Sequence, residues 1–511
     1  MEDRRRKTIF NTGVGILYLA VHVIYSFIIT GIIINTFGSE DNGLVSSIRQ
    51  ILTYAALVDC GLGAACIMSY YAPLAKDDKQ KVKAIYNKSK RFFQLVGGVY
   101  FLAIVVLSFI YPFIVESSHS NNYVSAVFIV VGASQAFSYF FLEKYKSIIT
   151  ADQRIGAVQF CSLLSDLFTI IVVVVFVNLH LVNSILGLQI IITAITILQF
   201  VFYKYIVSKY YPWLGSKEIV ASDDKKPIKQ IGSSFIHMLS QTVSFNTDII
   251  LLSIFRTLNE VSKYSVYSMV FAMANSLFGV FTKGIEGSIG NLYNKDREQF
   301  KKTFAQFEFL YLLQNAIILS TILLILQQFV SLYTKSETSF SYWDPSVSMM
   351  FVLITFLNTI RNPHAMMIRV SESFKQTQSI FICEALINLS ISLLLVKPFG
   401  IVGVLCGTLV SVIIRDVYVI KYIYQKVIDG NVISFIKKVV VNFIPLSICA
   451  FFPLNGYLGV PSSYITLFFF LILDVLFAVA VTLFVNTIFN FNMVKSLFNE
   501  ILIFVKRKRN I

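Results

Sequence analysis

The sequence predicts an all-α, polytopic membrane protein of about fourteen transmembrane helices. Three observations predict it. The 511-residue chain is 56% hydrophobic and 14% charged, against about 25% charged for an ordinary soluble protein. Its apolar residues fall in runs of about 20, the length that crosses a hydrocarbon core of about 30 Å as a helix, not in the short alternating segments of a barrel. Its Lys and Arg residues gather in every second connection, as membrane topology places them.

In order, the spans are 11–34, 44–71, 92–115, 123–142, 158–178, 185–203, 232–255, 264–289, 303–326, 346–368, 379–396, 401–420, 439–454 and 463–486. The first follows Arg4, Arg5, Arg6 and Lys7 and is too long for a signal h-region, so it reads as a retained span. The thirteenth is short and holds Pro445 and Pro453. With both termini cytoplasmic, 35 of the 43 Lys and Arg residues lie on the cytoplasmic side. Only Arg256, Lys263, Lys335 and Lys397 lie outside, and Arg49, Lys283, Arg361 and Arg415 lie within spans. An odd number of spans would scramble this division. The net charge of +15 is therefore a topological signal, and no nucleic-acid partner is expected.

The halves read as repeats. A shift of about 221 residues lays the first six spans on the next six. The exit of span 2, Tyr70 to Lys81, then matches the exit of span 8, Tyr293 to Lys302. Six spans is an even number, so the two repeats share one orientation about an axis along the membrane normal. The organisation is a six-helix lobe over 1–210, a cytoplasmic linker over 211–231, a second six-helix lobe over 232–430, and helices 13–14 with a basic tail over 431–511.

Charges at membrane depth cost several kcal/mol unless paired or hydrated, so each is a functional candidate. Arg49 lies near the outer end of span 2 with no acid three or four residues away, and a guanidinium suits bidentate phosphate binding. Arg361 precedes Asn362, Pro363 and His364, where the proline interrupts the helical ladder. Arg415 and Asp416 are adjacent, so on one helix they are expected to face different partners. Lys283 and Glu286 are three apart and expected to pair on one face. Asp59 precedes Gly61 and Gly63 in span 2, either as a packing contact or as an ion site. His22 and His237 sit mid-span at near-equivalent repeat positions, and Asp166 maps close to Asn388. These polar residues are candidates for coupling to H⁺ or Na⁺, with a neutral hydrogen-bonded histidine as the plainer reading of each His. Asp248 and Glu308, nearer helix ends, read as structural. Gly403 and Gly407 form a small-residue face for close helix contact.

All six cysteines lie in apolar runs without a CxxC, so neither a disulfide framework nor a zinc site is expected. Gly61–Cys66 lies in a membrane helix and is no dinucleotide loop. There is no HExxH, Walker or nucleophile-elbow motif, and no catalysis or cofactor is expected.

Two stretches carry a resemblance. Residues 37–78 hold a short Gly-containing turn, a polar-studded helix with Asp59-x-Gly61-x-Gly63, and a Pro73-Leu74-Ala75 exit into a Lys-rich segment. Residues 387–411 hold Asn388, Gly400, Gly403, Gly407 and Thr408 in order. Together with the fourteen-span layout, these resemble the bacterial polysaccharide, or lipid-linked oligosaccharide, flippases of the multidrug/oligosaccharidyl-lipid/polysaccharide exporter superfamily, over nearly the whole chain. One departure is Met68 and Ser69, where the family carries a basic residue. The resemblance implies alternating access in a bacterial inner membrane. It also implies a polyprenyl-pyrophosphate-linked oligosaccharide as substrate, the lipid bilayer as surroundings, and a polysaccharide polymerase with chain-length machinery as partners. A cation-coupled multidrug exporter of the same superfamily is the alternative. A membrane glycosyltransferase or polymerase fits less well, because no external loop is large enough for catalytic residues.

Overall fold

The computed structural model describes residues 2–59, 62–215, 231–452, 459 and 461–496. Within these, the side chains at 2–6, 58, 62, 64, 231–238, 241, 244, 245 and 283 lie outside the description. Most of the expected linker, Pro453 and the end of the tail fall outside it too.

Within the described residues, every expected span lies on a helix or a pair of helices. In chain order these are α1 (Glu2–Phe37), α2 (Ser39–Ala55), α3 (Leu62–Ala75), α4 (Lys79–Ile114), α5 (Asn121–Phe137), α6 (Glu143–Ala151), α7 (Ile155–Asn178) and α8 (Ile185–Tyr210). There follow α9 (Ile231–Phe255), α10 (Leu258–Lys295), α11 (Arg297–Tyr333), α12 (Pro345–Ile360), α13 (Asn362–Val370), α14 (Phe374–Tyr422), α15 (Val432–Phe451) and α16 (Tyr464–Phe489). Among the described residues, ten helical stretches are long and apolar enough to cross a membrane. The protein is a multi-pass membrane protein. Large side chains such as Phe113, Leu394 and Ile465 point outward, as a lipid-facing surface requires.

Three expected spans are broken helices, and each break has a local cause. Span 2 is α2 and α3, separated by a 3-10 turn over Ala56–Asp59. Asp59 Oδ1 accepts the Gly63 N–H at 3.0 Å, which satisfies a donor at the start of α3. Span 4 continues from α5 through a π-turn over Ser138–Leu142 into α6. Span 10 is α12 and α13, with Arg361 at the joint before Pro363, as the missing proline N–H dictates. In α14, Gly400 (φ 53°) turns the chain back on itself, so α14 is two antiparallel legs that carry spans 11 and 12. Gly403 lies against the Leu395 carbonyl and Gly407 against Ser392, which is the close contact expected of that small-residue face.

The helices outrun the apolar spans. The segment 72–91 is mostly the end of α3 and the start of α4, α6 carries Lys144 and Lys146 beyond span 4, and α11 extends to Tyr333. The thirteenth span is a full 20-residue helix, longer than the sequence suggested, with Pro445 inside it. Hydropathy marks where a helix crosses hydrocarbon, whereas hydrogen bonding and capping decide where it stops. Asp78, Ser120, Ser184, Asp296, Asp344 and Ser463 cap the helices that follow them.

The chain divides into two units, Met1–Thr242 with Ile249–Ser265, and Val243–Asp248 with Val266–Ile511. In the first, α1 packs on α7, and α5 packs on α4 and α8. Its core gathers Ile48, Ile104, Phe128, Ile185, Leu188 and Leu258. In the second, α11 is the central helix, packed by α12, α15 and α16.

A polar clamp closes the end of the first unit away from the basic loops. Glu40 accepts hydrogen bonds from Ser117 Oγ (2.7 Å), the Ser118 N–H (2.6 Å) and Ser118 Oγ (2.7 Å). His119 Nε2 lies 2.8 Å from Asp41. Burial alone would raise the Glu40 carboxyl, but the bonds from Ser118 and Ser117 outweigh it and hold the group below the usual carboxylate range. A depressed folded-state value gives stability that is present above the unfolded value and lost as pH falls through the folded one. Wild type and Glu40→Gln should therefore differ in melting temperature at neutral pH and converge in acid. A gap that stays constant down to the acidic end would mean that the ionised clamp contributes nothing.

Candidate functional site

In the first unit, α1 carries Tyr18, His22 and Tyr25 at three- and four-residue spacing, hence on one face. The rings follow one another, with centroids 5.4 Å apart for Tyr18–His22 and 5.9 Å for His22–Tyr25. His22 Nδ1 lies 2.9 Å from Asp166 Oδ2 on α7. The structure thus brings together two expected polar residues that are 144 positions apart. The histidine is 47% exposed and the aspartate 16%, so the pair is reachable from one side. The other end of the stripe faces α2, where the charge of Arg49 reaches Tyr25.

Arg49 is exposed and makes no ion pair among the described residues. It stands ten residues into α2, ~15 Å along the axis, because the helix begins at Ser39 and not at the expected 44. Asn42 anchors this part of the helix. Its amide donates to Ser262 Oγ at 2.7 Å and Ser265 Oγ at 3.0 Å.

Tyr18 at the other end of the stripe borders an open cavity of about 300 Å³, which Gln159, Ser162, Glu143 and Lys146 also line. Lys146 Nζ lies 2.9 Å from Glu143 and 3.0 Å from Ser138 Oγ. Hydropathy alone leaves Lys146 in a loop. The i, i+3 spacing of Glu143 and Lys146 is the available sign that the helix continues through them.

The second unit holds its membrane arginines differently. Arg415 is fully buried. Its Nε donates to Asp416 at 2.8 Å, Nη2 to Asn358 Oδ1 at 2.6 Å, and Nη1 to Glu384. The expectation that adjacent Arg415 and Asp416 face different partners is corrected, because the long guanidinium side chain curls back to its neighbour's carboxylate. Arg361 Nε lies 3.1 Å from the same Asp416, and its guanidinium lies 6.0 Å from the Phe381 ring centre. Arg361 at the α12–α13 joint, Glu384 on the first leg of α14 and Arg415 with Asp416 on the second thus form one buried, charge-balanced network, to which α12 adds the Asn358 amide.

Two further buried clusters hold residues that the sequence marks as structural or does not mark. Asp248 Oδ2 accepts from Thr408 Oγ1 at 3.0 Å, and Asn388 donates to Thr408 at 2.9 Å. Glu308 accepts from the Tyr424 hydroxyl at 2.6 Å and from Lys438 at 2.9 Å, with His364 Nε2 at 3.2 Å. Glu286 takes two bonds from Arg369, at 2.8 and 2.7 Å. The side chains of Lys283 and His237 lie outside the described residues.

No family model and no curated protein sequence matches the chain. Solved structures do. The lipid II flippase MurJ in an inward closed conformation matches with TM-score 0.64 at 17% identity, over 95% of this chain and all of that one. An inward-facing multidrug resistance MATE family transporter of the MOP superfamily matches with TM-score 0.63 at 12% identity, over 78% of this chain and 94% of that one. A MOP superfamily transporter from Pyrococcus furiosus matches with TM-score 0.53 at 13% identity, over 84% and 97%. The chain has the fold that these transporters share.

Proposed function

We propose that the protein is a flippase that carries a polyprenyl-pyrophosphate-linked oligosaccharide from the cytoplasmic to the outer leaflet of a bacterial inner membrane, for surface polysaccharide synthesis. Both termini are cytoplasmic, and lobes 1–210 and 232–430 alternate access while helices 13–14 accompany the lipid tail. The observation that carries the reading is the exposed guanidinium of Arg49 at membrane depth, at the end of the Tyr18–His22–Tyr25 stripe. In a low-dielectric setting such a cation favours an anionic group, and its planar fork fits a phosphate with two parallel bonds. Tyrosine rings beside it offer apolar faces and hydroxyls to sugars.

His22 and Asp166 are the pair suited to coupling by H⁺. A histidine ring nitrogen 2.9 Å from a carboxylate oxygen can exchange a proton with it directly. In this conformation Arg361 and Arg415 are paired with Glu384 and Asp416, whereas Arg49 makes no ion pair among the described residues and is open to substrate. Likeness to a lipid flippase over 95% of the chain, against 78% for the multidrug transporter, supports a lipid substrate over a soluble drug.

The test is leaflet-resolved transport of the lipid-linked oligosaccharide in vesicles. Loss of one charged hydrogen-bonding partner costs about 1.5–3 kcal/mol, or roughly 10- to 100-fold. Arg49→Ala should lose about that much transport, and Arg49→Lys part of it. Unchanged transport by both variants, or efflux of a cationic dye with no lipid movement, would overturn the proposal in favour of the exporter reading.

A further inference from the structure

The most apolar helix among the described residues carries a carboxyl group with no partner among them. Asp474 lies ten residues into α16, is 0% exposed, and neither of its oxygens has a hydrogen-bond partner among the described residues. α16 packs on α11 and α15. From α15 the titratable side chain that faces Asp474 is Cys449, close enough to feel its charge, and the Ser320 hydroxyl of α11 adjoins Cys449. Of the charged residues on those two helices, Glu308 and Lys438 come closest along the chain to Ser320 and Cys449, and they pair with each other at 2.9 Å; Arg297, Glu298, Lys301 and Lys302 of α11 and Lys437 of α15 lie farther along the same helices. That pair is twelve residues from Ser320 along α11, ~18 Å away. Among the described residues, no cation is paired with Asp474 to hold it ionised.

The carboxyl is also not isolated in its pattern. Asp474, Ala478, Thr482 and Asn486 fall four apart on α16 and are all fully buried, along a stripe that drifts by about 40° per step; Asn490 caps the end of the helix. Asn486 donates to Asn442 of α15 at 3.1 Å, and Asn490 donates to Asn486 at 2.9 Å. This polar seam runs from the Asn490 end of the bundle to Thr482, and Ala478 alone separates it along the stripe from Asp474. An ionised carboxylate without a partner in such a place costs far more than the neutral acid.

We propose that Asp474 is a proton-binding site of the α11/α15/α16 bundle: it holds a proton while the three helices are packed and releases it when their separation lets water enter along the seam. The α15–α16 pair then carries a titrating group of its own, and its packing on α11 is linked to proton binding. A ligand that binds one of two conformations shifts the balance between them.

Infrared spectroscopy of the full-length protein in liposomes at neutral pH reads the site directly. With ¹³C-carboxyl aspartate, the wild type should show an isotope-shifted band of a protonated carboxyl that is lost completely in Asp474→Asn. It should be unchanged when sodium is replaced by potassium. Asp474→Glu, which keeps an acid but drops the label at this site, should also lose it, so the test survives if the Asn variant does not fold. A spectrum with the same protonated-aspartate intensity in wild type and both variants would overturn the proposal. So would a band that appears only when sodium is removed, since the carboxylate would then be holding a cation. No substrate enters the measurement, so its failure and the failure of the flippase reading are separate results.

Discussion

Gly43→Ala is expected to leave little folded protein. A Cβ at Gly43 falls 1.8 Å from the carbonyl oxygen of Leu258, and both residues are buried within the first unit. Real Cβ atoms essentially never approach within 3.0 Å, so α2 and the start of α10 must part by more than about 1 Å. The obstacle is backbone and has no rotamer to change. The neighbouring Asn42 bonds to Ser262 and Ser265 at 2.7 and 3.0 Å would stretch with it. Overpacking that side chains can absorb costs about 1–3 kcal/mol, and a clash between helix backbones belongs at or above that upper figure. Against a total stability of about 5–15 kcal/mol the loss is large. Gly98→Ala is the matched control. It adds the same methyl group to α4, where nothing lies within 4 Å, and helix propensity favours alanine there by up to about 1 kcal/mol. Thermal melting of the two detergent-solubilised variants distinguishes the outcomes. If Gly43→Ala melts with Gly98→Ala, the close crossing is wrong.

That crossing also shows which features the sequence revealed and which it could not. Runs of about 20 apolar residues and the sided lysines and arginines located the helices, because lipid imposes both patterns locally. Pro363 announced the break at Arg361, and Gly403 with Gly407 announced a close contact, because backbone constraints belong to single residues. The partner of Gly43 is 215 positions away, and nothing local to either residue marks it. Long-range pairing is equally silent. His22 and Asp166 were separate candidates until α1 met α7, and the tie between Asp248 and Asn388 needed the second leg of α14 to supply Thr408. Charge balance was hidden for the same reason. Hydropathy flags a membrane arginine as costly but cannot say whether an acid waits beside it. Arg49 is exposed, whereas Arg361 and Arg415 prove to have paired inside the second unit.

That pairing makes the second large effect a way to separate structure from transport. Arg415→Leu removes the centre of the network and leaves Glu384 buried without its cation, with Asp416 served only by Arg361 at 3.1 Å. Breaking a buried ion pair from one side typically costs about 3–5 kcal/mol, because the remaining charge is stranded. Glu384→Leu alone should cost a similar amount, since two guanidinium groups would then share one carboxylate. The double variant Arg415→Leu with Glu384→Leu removes one charge of each sign and leaves Arg361 with Asp416. Replacing a buried ion pair as a unit by apolar side chains is often neutral or better, so its melting temperature should return close to wild type. The resulting coupling of several kcal/mol is what a double-mutant cycle measures. Transport by the restabilised double variant then separates the two roles open to Arg415. Near-normal flipping would make the guanidinium a fastener of α12 and the legs of α14. A protein that melts like wild type yet does not flip would mean, under the proposed function, that Arg415 leaves its carboxylates during the cycle and meets the anionic group of the proposed substrate.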